Sequence, residues 1–259
     1  MRLFYIDQSE IASQNPAIKG SDARHIINVL RLKPGDHIEL FDESGIKYKA
    51  RIVAVSSARV EVSVVGQSNQ TVESFLEIIV AQSFLKEAKM DNLIRQLTEL
   101  GITKWIPFIS ERSVSRPDDK RLLNRSKRWE SIAKEAAKQC KRAKTTIIEK
   151  TVSFKELLES KQEFDLKIIF WENEKNLLDI KNLTATHQKD INKILIILGP
   201  EGGFTISEIE KAKESGFLTA GLGPRILRAE TASVSACTLI QFLFGDMGQK
   251  IVDKNEGIK

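Results

Sequence analysis

The hydrophobic and polar positions near the start of the chain alternate as they do in half-buried strands. Three alternating runs, separated by short polar turns, cover residues 37–42, 46–55 and 59–65. Ahead of them, apolar residues recur at helical spacing within 22–31, and Pro34-Gly35 is expected to stop that helix. The pattern predicts a small β-domain with one helix.

A polar segment without periodicity, residues 66–74, follows this domain and is typical of a linker. Beyond it, short apolar runs alternate with helical stretches, which is the pattern of a buried parallel sheet in an α/β domain. These runs cover 78–80, 105–109, 168–171, 194–198 and 218–222. We therefore expect an N-terminal domain over residues 1–70 and an α/β domain over 74–248.

Two of the intervening helices have a clear apolar stripe. The first stripe ends at Gly101 and consists of Leu85, Leu93, Ile94, Leu97 and Leu100. The second helix is expected to begin at Ser126 and has an apolar side formed by Trp129, Ile132, Ala133, Ala136, Ala137 and Cys140. Its opposite side carries Lys127, Lys134, Lys138, Lys141 and Arg142. We also assign to the core Met90, Phe108, Phe170 and Phe242.

The positive charge of the chain is concentrated in one segment. The 259 residues carry a net charge of +5, but residues 116–144 alone carry +7, and the remainder is slightly acidic. Each Lys or Arg placed against a phosphate releases condensed counterions, so such a segment suits a nucleic-acid backbone. A solvated helix face is the alternative interpretation.

Other classes of protein are excluded by what the sequence lacks. Cys140 and Cys237 are far apart, no CxxC occurs and the chain has three histidines, so neither a disulfide framework nor a metal site is expected. The first residues contain no signal-like apolar region, and no apolar run approaches the ~18 residues of a membrane span. We expect a cytoplasmic protein that does not enter a membrane.

A glycine-rich loop, GPEGGFT at 199–205, directly follows the apolar run 194–198. It precedes a helix in which Thr205 and Glu208 have the spacing of a capping box. Glycines at the carboxyl end of a parallel strand let a ligand approach the backbone closely. The phosphate-binding patterns GxxxxGK[ST] and GxGxxG are absent. Glu201 favours a cationic or hydroxyl-rich ligand such as S-adenosylmethionine, although a plain turn or a phosphorylated ligand remains an alternative.

A second loop, LGPRILRAETA at 222–232, follows the last apolar run and leads into a helix rich in small residues. The apolar end of that helix predicts burial or a subunit interface. Arg225 and Arg228 are candidates for contacts with a nucleic-acid substrate, or they are ordinary surface cations. Glu230 is a candidate functional carboxylate, or it only stabilises the start of the helix.

These two loops resemble the cofactor-binding loops of SPOUT methyltransferases, specifically the 16S ribosomal RNA uracil-N3 methyltransferase family. Further similarities are RHIINVLR at 24–31, ERSV at 111–114 and KRWESIAKEAAKQCKR at 127–142. The resemblance implies an α/β fold class: a C-terminal SPOUT trefoil-knot domain with a parallel sheet, plus an N-terminal PUA-like β-barrel that binds RNA. It also implies a homodimer that acts on the small ribosomal subunit.

The resemblance further implies which residues form the sites. Three loops would hold S-adenosylmethionine through Phe170, Trp171, Glu172, Leu198, Gly199, Pro200, Glu201, Gly202, Gly203, Leu222, Gly223, Ile226, Leu227, Thr231 and Ala232. The expected RNA-binding residues are Arg2, Arg24, His25, Arg31, Arg112, Lys134, Lys138, Lys141, Arg142 and Arg225. For Arg24, His25 and Arg31, a simple helix-surface role is the alternative.

Methylation of uracil at N3 requires displacement at a sulfonium and removal of the N3 proton. The implied catalytic residue is Arg228, which would stabilise the uracil anion, while Glu201 and Glu230 are candidate bases. The uridine must be unpaired or flipped, because N3 lies on its pairing edge. A non-catalytic RNA-binding or ribosome-assembly factor remains the alternative from another functional class.

Overall fold

The computed structural model describes residues 3–42, 46–68, 73–174 and 191–248. The chain forms two compact units. The first contains the described residues up to 73 together with 133–146, and the second contains the rest. The division into domains 1–70 and 74–248 stays a prediction.

The first unit contains a five-stranded sheet. Its strands are β1 (Leu3–Tyr5), β2 (Ala17–Lys19), β3 (His37–Phe41), β4 (Lys47–Val55) and β5 (Arg59–Ser68), in the order β1-β3-β4-β5-β2. All neighbours are antiparallel except β1 and β3. Alternate residues of β3 and β4, such as Ile38, Leu40, Ala50 and Ile52, form the core, which confirms the predicted period of two.

The predicted helix over 22–31 consists of a short α-helix followed by a π-helical segment, which has a wider helical turn. Helix α1 (Gln8–Ile11) precedes it, α2 covers Gly20–Arg24, and a π-helical segment covers His25–Leu30. The segment ends at Arg31, which has a left-handed φ of 50°, before Pro34-Gly35 is reached. Ile26 and Leu30 span little more than one turn, so their spacing does not distinguish the two helix types.

The second unit contains a sheet of seven strands in which every pair is parallel. Its strands are β6 (Glu77–Ser83), β7 (Lys104–Ile109), β8 (Ile147–Ile148), β9 (Val152–Ser153), β10 (Leu166–Phe170), β11 (Lys193–Leu198) and β12 (Leu218–Ala220). The order is β12-β10-β11-β6-β7-β8, with β9 beside β7. The central strands β6 and β11 are buried along almost their whole length, which confirms the predicted α/β fold class.

Five helices described after β6 accompany this sheet. They are α3 (Glu87–Glu99), α4 (Asp119–Gln139), α5 (Phe154–Leu158), α6 (Ile206–Glu214) and α7 (Ala229–Phe244). The predicted apolar side of α4 is confirmed by Trp129, which is buried and meets the Trp105 ring edge-on at 4.9 Å. The last turns of α4, from residue 133, belong to the first unit.

Both predicted ends of α4 are wrong. The helix begins at Asp119 rather than Ser126, because the Asp118 carboxylate accepts a hydrogen bond from the Arg121 N–H at 2.8 Å and caps the first turn. It ends at Gln139, since Lys141 has a left-handed φ of 63°. Lys141 and Arg142 therefore lie beyond the helix.

The core assignments hold except at one aromatic residue. Met90, Phe108 and Phe170 are buried, whereas Phe242 is 58% exposed. The assignment of Phe242 to the core is wrong because it lies on a side of α7 that the described chain leaves uncovered, while Ile240 and Gln241 take the buried positions.

Strand order decides where the loops of the second unit meet. Strands β12, β10 and β11 are consecutive in the sheet, and β6 lies beside β11. Because all are parallel, their carboxyl ends share one edge, which is where α/β sheets bind ligands. The threading of the chain into a knot stays a prediction. In the described part of the chain, the helices are too short or too polar to cross a bilayer.

Candidate functional site

A cleft of about 500 Å³ lies in the second unit, where the segments after β10, β11 and β12 meet. It is lined by fourteen of the fifteen residues predicted to bind the cofactor: Phe170, Trp171, Glu172, Leu198, Gly199, Pro200, Glu201, Gly202, Gly203, Leu222, Gly223, Ile226, Leu227 and Ala232. Thr231 is exposed on the first turn of α7 and is not among the lining residues. The structure thus brings together three loops that are far apart in sequence.

The glycines of the 199–205 loop are required by close contacts. Gly203 has a left-handed φ of +65°, and a Cβ atom there would lie only 2.0 Å from Glu172 Oε1. A Cβ on Gly202 would come within 3.2 Å of Arg112 Cβ. The Arg112 guanidinium also donates to the Gly202 carbonyl at 3.1 Å. The loop is therefore packed from both sides and leaves its backbone facing the cleft.

The loop is anchored at its carboxyl end by buried contacts. Phe204 is 3% exposed and packs against the rings of Phe108 and Phe154. The predicted capping box is confirmed: Thr205 accepts from the Glu208 N–H, and the Glu208 carboxylate accepts from the Thr205 N–H. The buried Phe204 ring and the capping box at Thr205 together stabilise the start of α6 and the loop before it.

A buried glutamine connects this loop to α7. The Gln82 amide donates to the Gly199 carbonyl at 3.2 Å, and its oxygen accepts from the Ser233 hydroxyl at 2.6 Å. Both Gln82 and Ser233 are fully buried. Breaking a hydrogen bond of a buried polar group is costly. Gln82, which belongs to β6, therefore holds both the glycine-rich loop and α7 against the sheet.

Lys89 lies in the cleft wall between two of the predicted functional carboxylates. Its ammonium is 3.1 Å from Glu201 Oε1 and 3.1 Å from Glu230 Oε2. Glu201 also accepts a hydrogen bond from the Lys86 N–H at 3.3 Å. Glu230 belongs to the first turn of α7, so Lys89 joins α3, the glycine-rich loop and α7.

Both carboxylates are held ionised. Burial acts to raise the pKa of Glu201, but hydrogen bonds from its own N–H, the Lys86 N–H and Lys89 outweigh burial, and the pKa is lowered. The pKa of Glu230 is also lowered, because its own N–H, Lys89 and the charge of Arg228 outweigh the effect of burial. The adjacent carboxylates of Glu230 and then Glu201 raise the pKa of Lys89. The three groups carry a combined charge of −1.

Three residues of the 222–232 loop form the open rim of the cleft. Arg225 and Arg228 are exposed cations, and Ile226 is 86% exposed. Arg228 is the N-cap residue of α7, with extended backbone angles. Its exposed side chain lines the cleft at the start of α7.

The predicted RNA-binding residues are divided between the two units. Arg112 and Arg225 are exposed in the second unit. In the first unit, Arg24, His25 and Arg31 are exposed around the π-helical segment. His25, Lys138 and Lys141 line a cavity of about 560 Å³ together with Asp22 and Glu135. Arg2 lies outside the described residues.

Three of the basic residues in and just after α4 that are predicted to bind RNA already have partners within the protein. Lys138 pairs with Asp22 at 2.6 Å and Glu135 at 3.0 Å. Lys134 lies 3.4 Å above the centre of the Tyr5 ring. Arg142 is 5% exposed and donates twice to the Glu73 carboxylate, at 3.0 and 3.1 Å. Lys138 and Arg142 are thus ion-paired and Lys134 lies over an aromatic ring, and their contacts with RNA stay a prediction.

Sequence analysis missed two residues of the cleft region, Lys89 and Gln82. Gln82 lies at the carboxyl end of β6, where a polar side chain at the end of an apolar strand was the available signal, and Lys89 lies in the first turn of α3. The signal becomes meaningful only once β6 is known to lie beside β11. In the described residues, no group of three or more His, Cys, Asp and Glu side chains is arranged to hold a metal ion.

Comparison with known families and proteins identifies similar chains over nearly the whole length. The model of the RNA methyltransferase domain matches residues 72–241, and the model of the RNA methyltransferase PUA domain matches 18–65. The ribosomal RNA small subunit methyltransferase E of Bacillus subtilis is 35% identical over 228 residues, which cover 87% of this chain and 89% of the relative.

Solved structures with similar folds include proteins with bound S-adenosylmethionine. The ribosomal RNA small subunit methyltransferase E of Neisseria gonorrhoeae, bound to S-adenosylmethionine, has a TM-score of 0.83 and 31% identity. The match covers 95% of this chain and 99% of that one. A Legionella pneumophila methyltransferase with the same cofactor has a TM-score of 0.83 and 27% identity, covering 95% and 100%.

Proposed function

Because the chain belongs to the ribosomal RNA small subunit methyltransferase E family, we propose that it transfers the methyl group of S-adenosylmethionine to N3 of a uridine in 16S ribosomal RNA. The observation that carries this proposal is the cleft at the shared edge of β10, β11 and β12, which has glycine backbone, carboxylates and a cationic rim. Its relatives are named for the ribosomal RNA of the small subunit, and one of the similar solved structures is bound to S-adenosylmethionine.

The residues of the cleft fit S-adenosylmethionine. The glycines at 199, 202 and 203 bring the backbone to the surface of the cleft without side chains, and Trp171 and Ile226 offer apolar walls. The Glu172 and Glu201 side chains carry acceptor oxygens that suit an ammonium group or ribose hydroxyls. When bound, S-adenosylmethionine supplies a methyl group already activated on a sulfonium. The protein then has to position the uridine and manage one proton.

We assign the charge-stabilising role to Arg228. Its exposed position on the rim allows a guanidinium to donate two hydrogen bonds to the uracil edge as N3 loses its proton. Glu201 and Glu230 are the proposed acceptors of that proton. Their lowered pKa values ensure that both are deprotonated at neutral pH, as a base must be, but also limit their basicity.

We assign RNA binding to the domain 1–70 and methyl transfer to the domain 74–248. In the first domain, the exposed Arg24, His25 and Arg31 would contact RNA. In the rest of the chain, Arg112, Arg225 and Lys141 are exposed and are proposed for the same task. Lys134, Lys138 and Arg142 would support the fold instead, because Lys138 and Arg142 are ion-paired within the protein and Lys134 lies over the Tyr5 ring.

We further propose that the protein is a cytoplasmic homodimer. Phe242 and Met247 are each more than half exposed at the carboxyl end of α7 and after it. Exposed apolar side chains are a common feature of subunit interfaces.

Mass spectrometry of the product tests the proposed reaction. The purified protein is incubated with S-adenosylmethionine labelled in its methyl group and with unmodified 16S ribosomal RNA or small subunits. Nucleoside digestion should release labelled 3-methyluridine. A label in 5-methyluridine or in a ribose methyl group would overturn the N3 assignment, and unlabelled RNA despite measurable cofactor binding would overturn the assigned substrate.

A further inference from the structure

The cleft contains an ammonium group that the proposed reaction does not use. Lys89, in the first turn of α3, is about one-third exposed and lines the cleft. It lies 3.1 Å from both Glu201 and Glu230, which come from a loop and a helix about 30 residues apart in sequence. One ammonium group placed between two carboxylates of the cleft raises the question of what this arrangement does.

We propose that Lys89 is a positioning residue that holds Glu201 and Glu230 together on one wall of the cleft. This inference rests on the proposed function for its role in catalysis, but its structural part does not. The contacts connect the glycine-rich loop to the start of α7, the same two elements that Gln82 connects on their buried side. Lys89 thus fixes the solvent side of that connection.

The charges around Lys89 explain why this position requires a cation. Two carboxylate oxygens that are each 3.1 Å from one nitrogen are at most about 6 Å apart, and like charges at such distances repel. Arg228 also acts on Glu230, and the Lys86 N–H donates to Glu201. With Lys89 replaced by a neutral side chain, these two remaining groups do not bridge the carboxylates, and one carboxylate becomes easier to protonate.

The test measures thermal unfolding of the free protein between pH 4 and 8, which needs neither cofactor nor RNA. Lys89→Met removes the charge, and Lys89→Arg keeps it. The control Lys213→Met removes a charge from an exposed position on α6. The ion pairs stabilise the fold above the ordinary carboxylate pKa of 4.5, and this stability is lost as the pH falls through the lowered folded pKa.

We therefore expect Lys89→Met to melt below the wild type at pH 7, with the difference shrinking below about pH 4.5. Lys89→Arg should recover most of the lost melting temperature. For Lys213→Met, the difference in melting temperature from the wild type should not vary with pH. The double variant Lys89→Met/Glu230→Gln should show a smaller pH-dependent difference than Lys89→Met alone. A difference that is the same at pH 4 and pH 7, or no recovery with arginine, would overturn the proposal.

The catalytic consequence is measured separately by single-turnover methylation as a function of pH. Lys89→Met should move the acid limb of the profile to higher pH, because one carboxylate then protonates more readily. An unshifted limb would overturn the catalytic role of Lys89. If instead the wild type neither methylates RNA nor binds S-adenosylhomocysteine while the melting result stands, the proposed function fails and the positioning role remains.

Discussion

At the scale of single residues, Gly203 shows most directly how the backbone shapes the cleft. Gly203→Ala adds a methyl group at a left-handed φ and against the Glu172 carboxylate, so the loop must shift. We expect at least a tenfold loss of affinity for S-adenosylhomocysteine by calorimetry, with ~1 kcal/mol lost from stability. Gly216→Ala is the matched control, because Gly216 also has a positive φ but its nearest neighbour is the flexible Lys167 end at 3.4 Å. Equal affinities in the two variants would contradict a tight loop.

The other prediction at this scale concerns Arg228. Arg228→Ala should lower the single-turnover methylation rate by roughly 10²–10³ while leaving cofactor affinity within a few-fold, since it removes a donor to the developing anion. Arg228→Lys should restore only part of the rate, because an ammonium does not reproduce the paired donors of a guanidinium. Arg225→Ala provides the comparison. It should weaken RNA binding without lowering the single-turnover methylation rate at saturating RNA. A near-normal rate for Arg228→Ala would remove Arg228 from the reaction.

At the scale of elements, the last turns of α4 are held by charge pairs rather than left free for a ligand. Lys138 is 11% exposed on its side chain and contacts Asp22, whose other oxygen accepts the Tyr5 N–H at 3.1 Å. Lys138→Met leaves this half-buried carboxylate without its cation. It should lower the free energy of unfolding, measured by urea denaturation, by about 1.5–3 kcal/mol. Lys127→Met, on an exposed part of the same helix, should change stability by less than ~0.5 kcal/mol. Similar unfolding midpoints for the two variants would show that the Asp22 pair contributes little.

At the scale of the whole molecule, the exposed end of α7 leads to a prediction about assembly. The wild type should sediment at twice the 29.2 kDa mass of one chain. Phe242→Asp places a charge on the exposed apolar patch and should shift sedimentation to the single-chain mass. Val53→Asp, at a 54% exposed position on β4, should leave the mass unchanged. A monomeric wild type, or a dimeric Phe242→Asp, would refute the proposed interface.

The sequence by itself determined the features that depend on neighbouring residues. Alternation identified β3 to β5, continuous apolar runs identified the central parallel strands, and residue spacing identified the capping box at Thr205. Periodicity and capping are local, so they can be recognised without knowing the fold. The motifs at 199–205 and 222–232 likewise identified the loops that line the cleft, and their resemblance to a known family indicated S-adenosylmethionine as the ligand.

Tertiary structure alone decided which of these local features meet. The strand order places β6 beside β11 and so brings Lys89 to Glu201, more than 100 residues away in sequence. It also decided that Lys138 and Arg142, which the sequence predicts to bind RNA, are paired with Asp22 and Glu73. Whether a charge is free or paired depends on groups that folding brings to within a few ångströms, and no pattern along one stretch of chain contains that information.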